Sequence, residues 1–220
     1  MQIWDSSWIT LHLDGCNVIY FYFGGDPMKH VNRTHLRVRA LCEGAILLAL
    51  AIVLNVLSKG IFANLPQGGS ISLAMFPLLL IAHRWGWRQG LLAGFCYGLL
   101  DMLLDGGYAW GWQSILLDYL VAYTALGIGG WFRGKAWGIF PCIAIGSLGR
   151  FLVHYISGVT LYRIIEPTGI EGFGVFADPH AYSLVYNGAY MLPNMVVALI
   201  IAGLLYVPMK KFLAGKDIQG

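Results

Sequence analysis

Two stretches of this chain run without a charged residue for longer than a soluble fold would ordinarily bury. Gly44–Ser58 is rich in Ala, Leu, Ile and Val, and Ala181–Met209 contains no Asp, Glu, Lys or Arg at all. Crossing the hydrocarbon of a bilayer takes about 20 predominantly apolar residues, and the second stretch exceeds that by itself. Four more apolar runs follow the same plan: Ile71–Ala82, Leu91–Leu104 broken by Asp101, Trp112–Phe132 broken by Asp118, and Ala136–Tyr162 broken by Arg150. Charged residues make up only 11% of the chain, against about 25% in soluble domains. A soluble globular domain, a disordered chain and a nucleic-acid binder are thereby excluded. The sequence predicts an all-α integral membrane protein.

Spacing of the runs predicts six helices, over 39–58, 70–84, 88–105, 112–132, 137–163 and 181–211. Basic residues set their orientation, because cytoplasmic loops carry an excess of Lys and Arg. With a cytoplasmic N-terminus the inner segments hold Lys29, Arg33, Arg37, Arg39, Arg84, Arg88, Arg133, Lys135, Lys210, Lys211 and Lys216. That is eleven of the 14 basic residues. Both termini are therefore expected in the cytoplasm, with outer connections over 59–69, 106–111 and 164–180. Residues 1–27 stand apart as a polar-aromatic extension ending in Gly-Gly-Asp-Pro. Their run Val18–Phe23 is too short to span. The basic stretch from Met28 leads directly into the first helix, so Met28 is expected to be the natural start; the alternative is a cytoplasmic tail. The membrane domain is 28–220.

Polar groups inside membrane helices are expensive, which makes each a candidate for function. At 1.5 Å per residue, Asp118 lies about 9 Å in from the outer end of its helix, His154 about 13 Å and Asn187 about 9 Å. Three polar side chains from three helices thus share the outer half of the bundle, which points to a pocket open to the outside. Arg150, His154, Gly158 and Tyr162 recur every four residues on one helix face. Each has a plainer reading: a satisfied core histidine, a glycine for close helix packing, and a structural partner for Arg150, which the spacing leaves unnamed.

Aromatics gather at the outer ends: Tyr108, Trp110, Trp112, Tyr119, Tyr162, Tyr182, Tyr186 and Tyr190. Some of these belong to an interfacial belt, Trp110 and Trp112 first among them. Tyrosines beside a carboxylate also suit a flat organic cation, so the expected substrate class is a small aromatic or cationic nutrient. Gly129-Gly-Trp-Phe-Arg-Gly-Lys-Ala136 imitates a phosphate-loop spacing. It places Ala136 where a magnesium-binding Ser or Thr is needed, and no strand is expected before it. A nucleotide-hydrolysing site is therefore not expected, and energised transport would need a partner. The four cysteines show no metal-binding spacing and are expected to pack.

Four segments, in order, resemble the thiamine-specific substrate-capture (S) components of energy-coupling factor (ECF) transporters. They are Leu65-Pro-Gln-Gly-Gly-Ser-Ile-Ser-Leu73, Leu117-Asp-Tyr119, Arg150-Phe-Leu-Val-His-Tyr-Ile-Ser-Gly158 and Tyr182-Ser-Leu-Val-Tyr-Asn-Gly-Ala-Tyr-Met-Leu-Pro193. The resemblance covers about 29–213. It implies a bacterial plasma-membrane subunit that captures thiamine from outside, without a cofactor or metal of its own. It further implies docking on a transmembrane coupling subunit served by two ATPases. Residue by residue, it implies that Asp118 faces the thiazolium side, with Tyr119 and Tyr108 nearby. His154 and Gly158 would face the ligand, Tyr162 would stack where some members carry Trp, and Tyr182 and Asn187 would complete the site. Ala45 and Ala49 would form the small-residue surface for the coupling subunit. The 59–69 connection resembles the family's lid, with Phe62 as its only aromatic.

Two alternatives accompany this reading. One is an S-component for another vitamin or a thiamine precursor. The other, an intramembrane aspartyl enzyme using Asp101, Asp105 or Asp118, is disfavoured because no G-x-G-D-type segment is present.

Overall fold

The computed structural model describes residues 8–13, 16–21, 33–62, 69–104, 111–165, 174 and 176–217, with backbone alone for 8–13, 16–21, 33 and 161–165. The helices are α1 (Arg33–Ile61), α2 (Met75–Trp85), α3 (Trp87–Leu104), α4 (Trp112–Phe132), α5 (Ile139–Ile165), α6 (Pro179–Tyr206) and a short α7 (Lys210–Leu213). Local chemistry sets several boundaries. Asp178 caps α6 by accepting from Ala181 N at 3.0 Å, and Pro179 occupies the first helical turn, where its missing N–H is not needed. Gly86 separates α2 from α3 with φ 95°, a conformation that side chains with a Cβ resist.

Packing is arranged for lipid. α2 is buried from Met75 through Arg84 and forms the axis of the bundle. Large apolar residues on the surrounding helices point outward, among them Ile46, Trp131 and Leu204, each about 70% exposed or more. In water such a surface would aggregate; in a bilayer it meets acyl chains that are as apolar as the core. Four helical stretches are long and apolar enough to cross: Thr34–Ile61, Trp112–Phe132, Ala136–Thr160 and Pro179–Tyr206.

Several predicted boundaries change. α1 begins at Arg33 rather than 39. The second helix was expected from residue 70, yet α2 begins only at Met75. The intervening backbone is held elsewhere: Ser72 N donates to Asn194 Oδ1 at 2.7 Å, Leu73 N to Ser58 Oγ at 3.0 Å, and Ser70 O accepts from Asn194 Nδ2 at 2.9 Å. α2 spans only about 16 Å at 1.5 Å per residue, and these side-chain bonds replace the helical ones that an apolar interior demands. The last helix, expected to run unbroken to 211, ends at Tyr206 and resumes as α7.

α4 is not a uniform helix. Trp112–Ser114 is α-helical, Ile115–Val121 is a π-turn, Ala122–Ala125 returns to α, and Leu126–Phe132 tightens to 3-10. Its backbone lies against α3 at glycines. A Cβ on Gly94 or Gly98 would fall 2.2 Å from the carbonyl oxygen of Tyr123 or Tyr119 respectively. The phosphate-loop-like stretch begins in the last turn of this helix and runs on past its end, and Gly129 is likewise a packing residue, with Cys142 O 2.2 Å from its would-be Cβ.

Within the segment read as an extension, β1 (Trp8–Leu13) pairs antiparallel with β2 (Cys16–Phe21), Trp8 opposite Phe21. The alternation Trp-Ile-Thr-Leu-His-Leu and the β-branched and aromatic residues of the partner strand suit a pleated ribbon. The proposed start, Met28, lies outside the described residues.

Arg84 closes the end of the bundle away from Asp118. Its Nε donates to Glu43 Oε2 at 2.6 Å, its Nη1 to Phe212 O at 2.7 Å and to Asp217 Oδ1 at 3.0 Å, and its guanidinium lies 3.5 Å over the Phe212 ring. One side chain thus ties α1, α2 and the C-terminal segment. The Arg84 hydrogen bonds hold the Asp217 carboxyl below its ordinary range. A lowered folded-state pKa stabilises above the unfolded value, so this contribution is complete at neutral pH and is lost as the pH falls below about 4. Arg84→Met should lower unfolding stability by about 1–3 kcal/mol, less than the about 3–5 kcal/mol of a fully buried broken pair because both carboxylates are partly exposed. Thermal unfolding in detergent measures it; an unchanged midpoint would show that the clamp contributes nothing.

Candidate functional site

The π-turn of α4 inserts one extra residue per turn and so widens the helix where Asp118 leaves it. The carboxylate is met by side chains from two helices. Asp118 Oδ2 accepts from Ser114 Oγ at 2.7 Å and from Ser157 Oγ at 2.9 Å, while His154 Nδ1 lies 2.9 Å from Oδ1. Ser114 precedes Asp118 by four residues and Ser157 follows His154 by three, the spacings that share a helix face. The Asp118 side chain keeps 24% of its surface exposed, whereas that of His154 keeps 9%. A carboxylate with this many donors is oriented, and part of its surface stays open.

A second layer fixes α6 against α5. Asn187 Nδ2 donates to His154 O at 3.1 Å, to Ser183 O at 2.9 Å and to Ser183 Oγ at 3.0 Å, and its Oδ1 accepts from Tyr190 OH at 2.7 Å. Gly158 makes this approach possible: a Cβ there would lie 2.4 Å from Ser183 Oγ and 3.0 Å from Asn187 Nδ2. Tyr182 and Tyr186 stack nearly parallel, with centroids 5.8 Å apart and planes 4° from each other, and Tyr190 stands edge-on to both Tyr186 and His154. Tyr186 OH also accepts from Gly69 N at 2.9 Å, which fastens the end of the 59–69 connection to the aromatic wall.

The structure therefore brings together Asp118, His154, Gly158 and Asn187, and joins Tyr182 to the same wall through Tyr186 and Tyr190. Tyr119 follows Asp118 on the π-turn and is partly buried. Tyr108 lies outside the described residues, as do the side chain of Tyr162 and most of the lid-like connection. Ala45 and Ala49 are exposed on the outer face of α1. Asn187 spends its amide on protein partners, so in this structure it builds the wall. The sequence reading missed Ser114, Ser157 and Ser183, although helical spacing from Asp118, His154 and Asn187 could have found them. Arg150, for which a salt bridge or carbonyl contact was expected, instead donates from Nε to His154 Nε2 at 3.2 Å and stacks on the Tyr123 ring at 4.1 Å.

A partly exposed acid and a buried histidine beside stacked tyrosines, toward one end of an apolar helical bundle, form a candidate site in a multi-pass membrane protein. Comparison with known proteins sharpens this class. Residues 41–214 match the model of a family described as thiamine transporter protein. The thiamine transporter ThiT of Bacillus subtilis (strain 168) is 35% identical over 196 residues, covering 83% of this chain and 97% of that protein. ThiT of Lacticaseibacillus paracasei is 27% identical over 201 residues, covering 83% and 94%. A solved structure of ThiT from Listeria monocytogenes superposes with a TM-score of 0.65 at 26% identity, covering 80% of this chain and 98% of that one. The chain belongs to the thiamine transporter family, and it is a multi-pass protein of the bacterial plasma membrane.

Asn187→Ala should remove its bond to His154 O across the α5–α6 seam and leave Tyr190 OH without its acceptor. A loss of about 1–3 kcal/mol is expected, the range for an unsatisfied buried polar group, read as a lowered unfolding midpoint in detergent. An unchanged midpoint would mean that the α5–α6 seam does not depend on it.

Proposed function

We propose that this protein is the thiamine-capturing subunit of an ECF-type uptake system, with both termini in the cytoplasm and the Asp118 pocket opening outward. The observation that carries the reading is the oriented, partly open carboxylate of Asp118 beside stacked tyrosines, in a chain belonging to the thiamine transporter family. Thiamine presents a permanently cationic thiazolium and a flat aminopyrimidine. The carboxylate answers the first through charge, and the tyrosine faces answer the second through stacking. In an apolar surround such a charge contact is stronger than at a water-exposed surface.

Capture needs no chemistry: Asp118, His154 and the two serines bind and orient, while the helices exclude water. Inward delivery in this reading requires a membrane coupling subunit and ATPases that hydrolyse ATP, reached through the exposed Ala45–Ala49 face of α1. Small residues there let a partner helix approach closely.

Purified protein should bind thiamine at one site per chain without ATP, measured by titration calorimetry. Asp118→Asn should weaken that binding by about 1–3 kcal/mol; undiminished affinity would remove Asp118 from the site. Ala49→Leu should spare binding yet abolish thiamine uptake by cells carrying the complete transporter. Full uptake in that variant would place the coupling surface elsewhere.

A further inference from the structure

Arg150 is almost fully buried one turn below His154, and its contacts fix the chemistry of the histidine ring. Arginine has only donors, so at 3.2 Å the Arg150 Nε–H donates and His154 Nε2 must accept. A ring nitrogen that accepts carries no proton. The single proton of a neutral imidazole then sits on Nδ1, which faces Asp118 Oδ1 at 2.9 Å. Oδ2 of the same carboxylate already accepts from two serine hydroxyls, as an ionised carboxylate would.

Arg150 is itself held from behind. Its guanidinium lies 4.1 Å over the Tyr123 ring, and Tyr123 OH donates to Asp101 Oδ2 at 2.8 Å. Asp101 Oδ1 in turn accepts from Asn55 Nδ2 at 2.7 Å. The buried order from α1 to the pocket is therefore Asn55, Asp101, Tyr123, Arg150, His154, Asp118. Each member sets the next by a hydrogen bond or a ring face. An arginine placed this close to a pocket for a cation would be unfavourable if its charge faced the ligand directly. The neutral His154 ring stands between it and Asp118.

We propose that Arg150 is a positioning residue that locks His154 in the neutral Nδ1–H tautomer, so that the histidine always donates to Asp118 and leaves the carboxylate anionic and aimed at an incoming organic cation. Without the Arg150 donor, Nε2 of His154 can take up a proton. As an imidazolium the ring would offset the Asp118 charge, and as the Nε2–H tautomer it would turn a lone pair toward the carboxylate.

This inference rests on the reading of the pocket as a cation site, but its primary test does not require a ligand. Protein labelled with 15N-histidine, with His154 assigned by difference against His154→Gln, should show a protonated Nδ1 and an unprotonated Nε2 at neutral pH. In Arg150→Met, Nε2 should become protonated, as the Nε2–H tautomer or as an imidazolium. Thiamine affinity should fall at least tenfold, with a smaller change for the neutral aminopyrimidine alcohol that lacks the thiazolium. Arg150→Lys, which restores a donor, should recover the tautomer at least in part. A wild-type ring protonated on Nε2, or an Arg150→Met ring whose Nε2 stays unprotonated, would overturn the proposal. Should Arg150→Met fail to fold, the wild-type and Arg150→Lys spectra still decide it. Absence of thiamine binding in the wild type would defeat the functional reading and leave the ring assignment standing.

Discussion

A carboxylate inside a bilayer has no water to turn to, and the arrangement around Asp118 follows from that constraint. Each unsatisfied polar group at such depth carries a penalty of several kcal/mol. Asp118 therefore gathers Ser114 from its own helix and Ser157 and His154 from α5, and His154 in turn receives Arg150. The π-turn, the glycines of α3 and Gly158 on α5 all serve this grouping, because each lets a backbone approach closely enough for short polar side chains to meet. What the helices hold in place is a charge that is satisfied on three sides and open on the fourth.

The same constraint explains why the bundle is apolar on its surface as well as in its core. Large apolar residues such as Leu204 and Ile46 face outward, while Asn55, Asp101, Asn194 and Ser72 are buried and bonded to one another or to backbone. These polar contacts pin the segment before α2, which is too short to cross unaided. They also place the end of the 59–69 connection against Tyr186, so the anchor of that connection and the aromatic wall share a residue.

Much of this was legible in the sequence, and the parts that were not share a cause. The apolar runs located α3 through α6 to within a few residues, since hydrophobic length is a property of the chain alone. Similar depth along three helices was enough to gather Asp118, His154 and Asn187, because depth follows from helical rise. The π-turn was not visible, since Ile115–Val121 has the composition of an ordinary helix, and its close approach to Gly98 is a contact with another helix. The late start of α2 was hidden for a similar reason: Asn194, which holds Ser70 and Ser72, lies more than a hundred residues away. Pairings such as Asn55 with Asp101, or Arg84 with Asp217, are decided by which helices become neighbours, and no spacing rule within one helix reports them. Arg150 is the exception. Its partner stands four residues along the same helix, and the spacing that marked the stripe could have named it.

The account stands on one claim, that the Asp118 pocket captures thiamine. Native mass spectrometry of the protein, released from detergent after purification from cells supplied with the vitamin, measures this directly. The account predicts a second species heavier than the chain by one thiamine, absent from Asp118→Asn purified in parallel. A chain carrying a different vitamin, or equal thiamine occupancy in the two proteins, would contradict it.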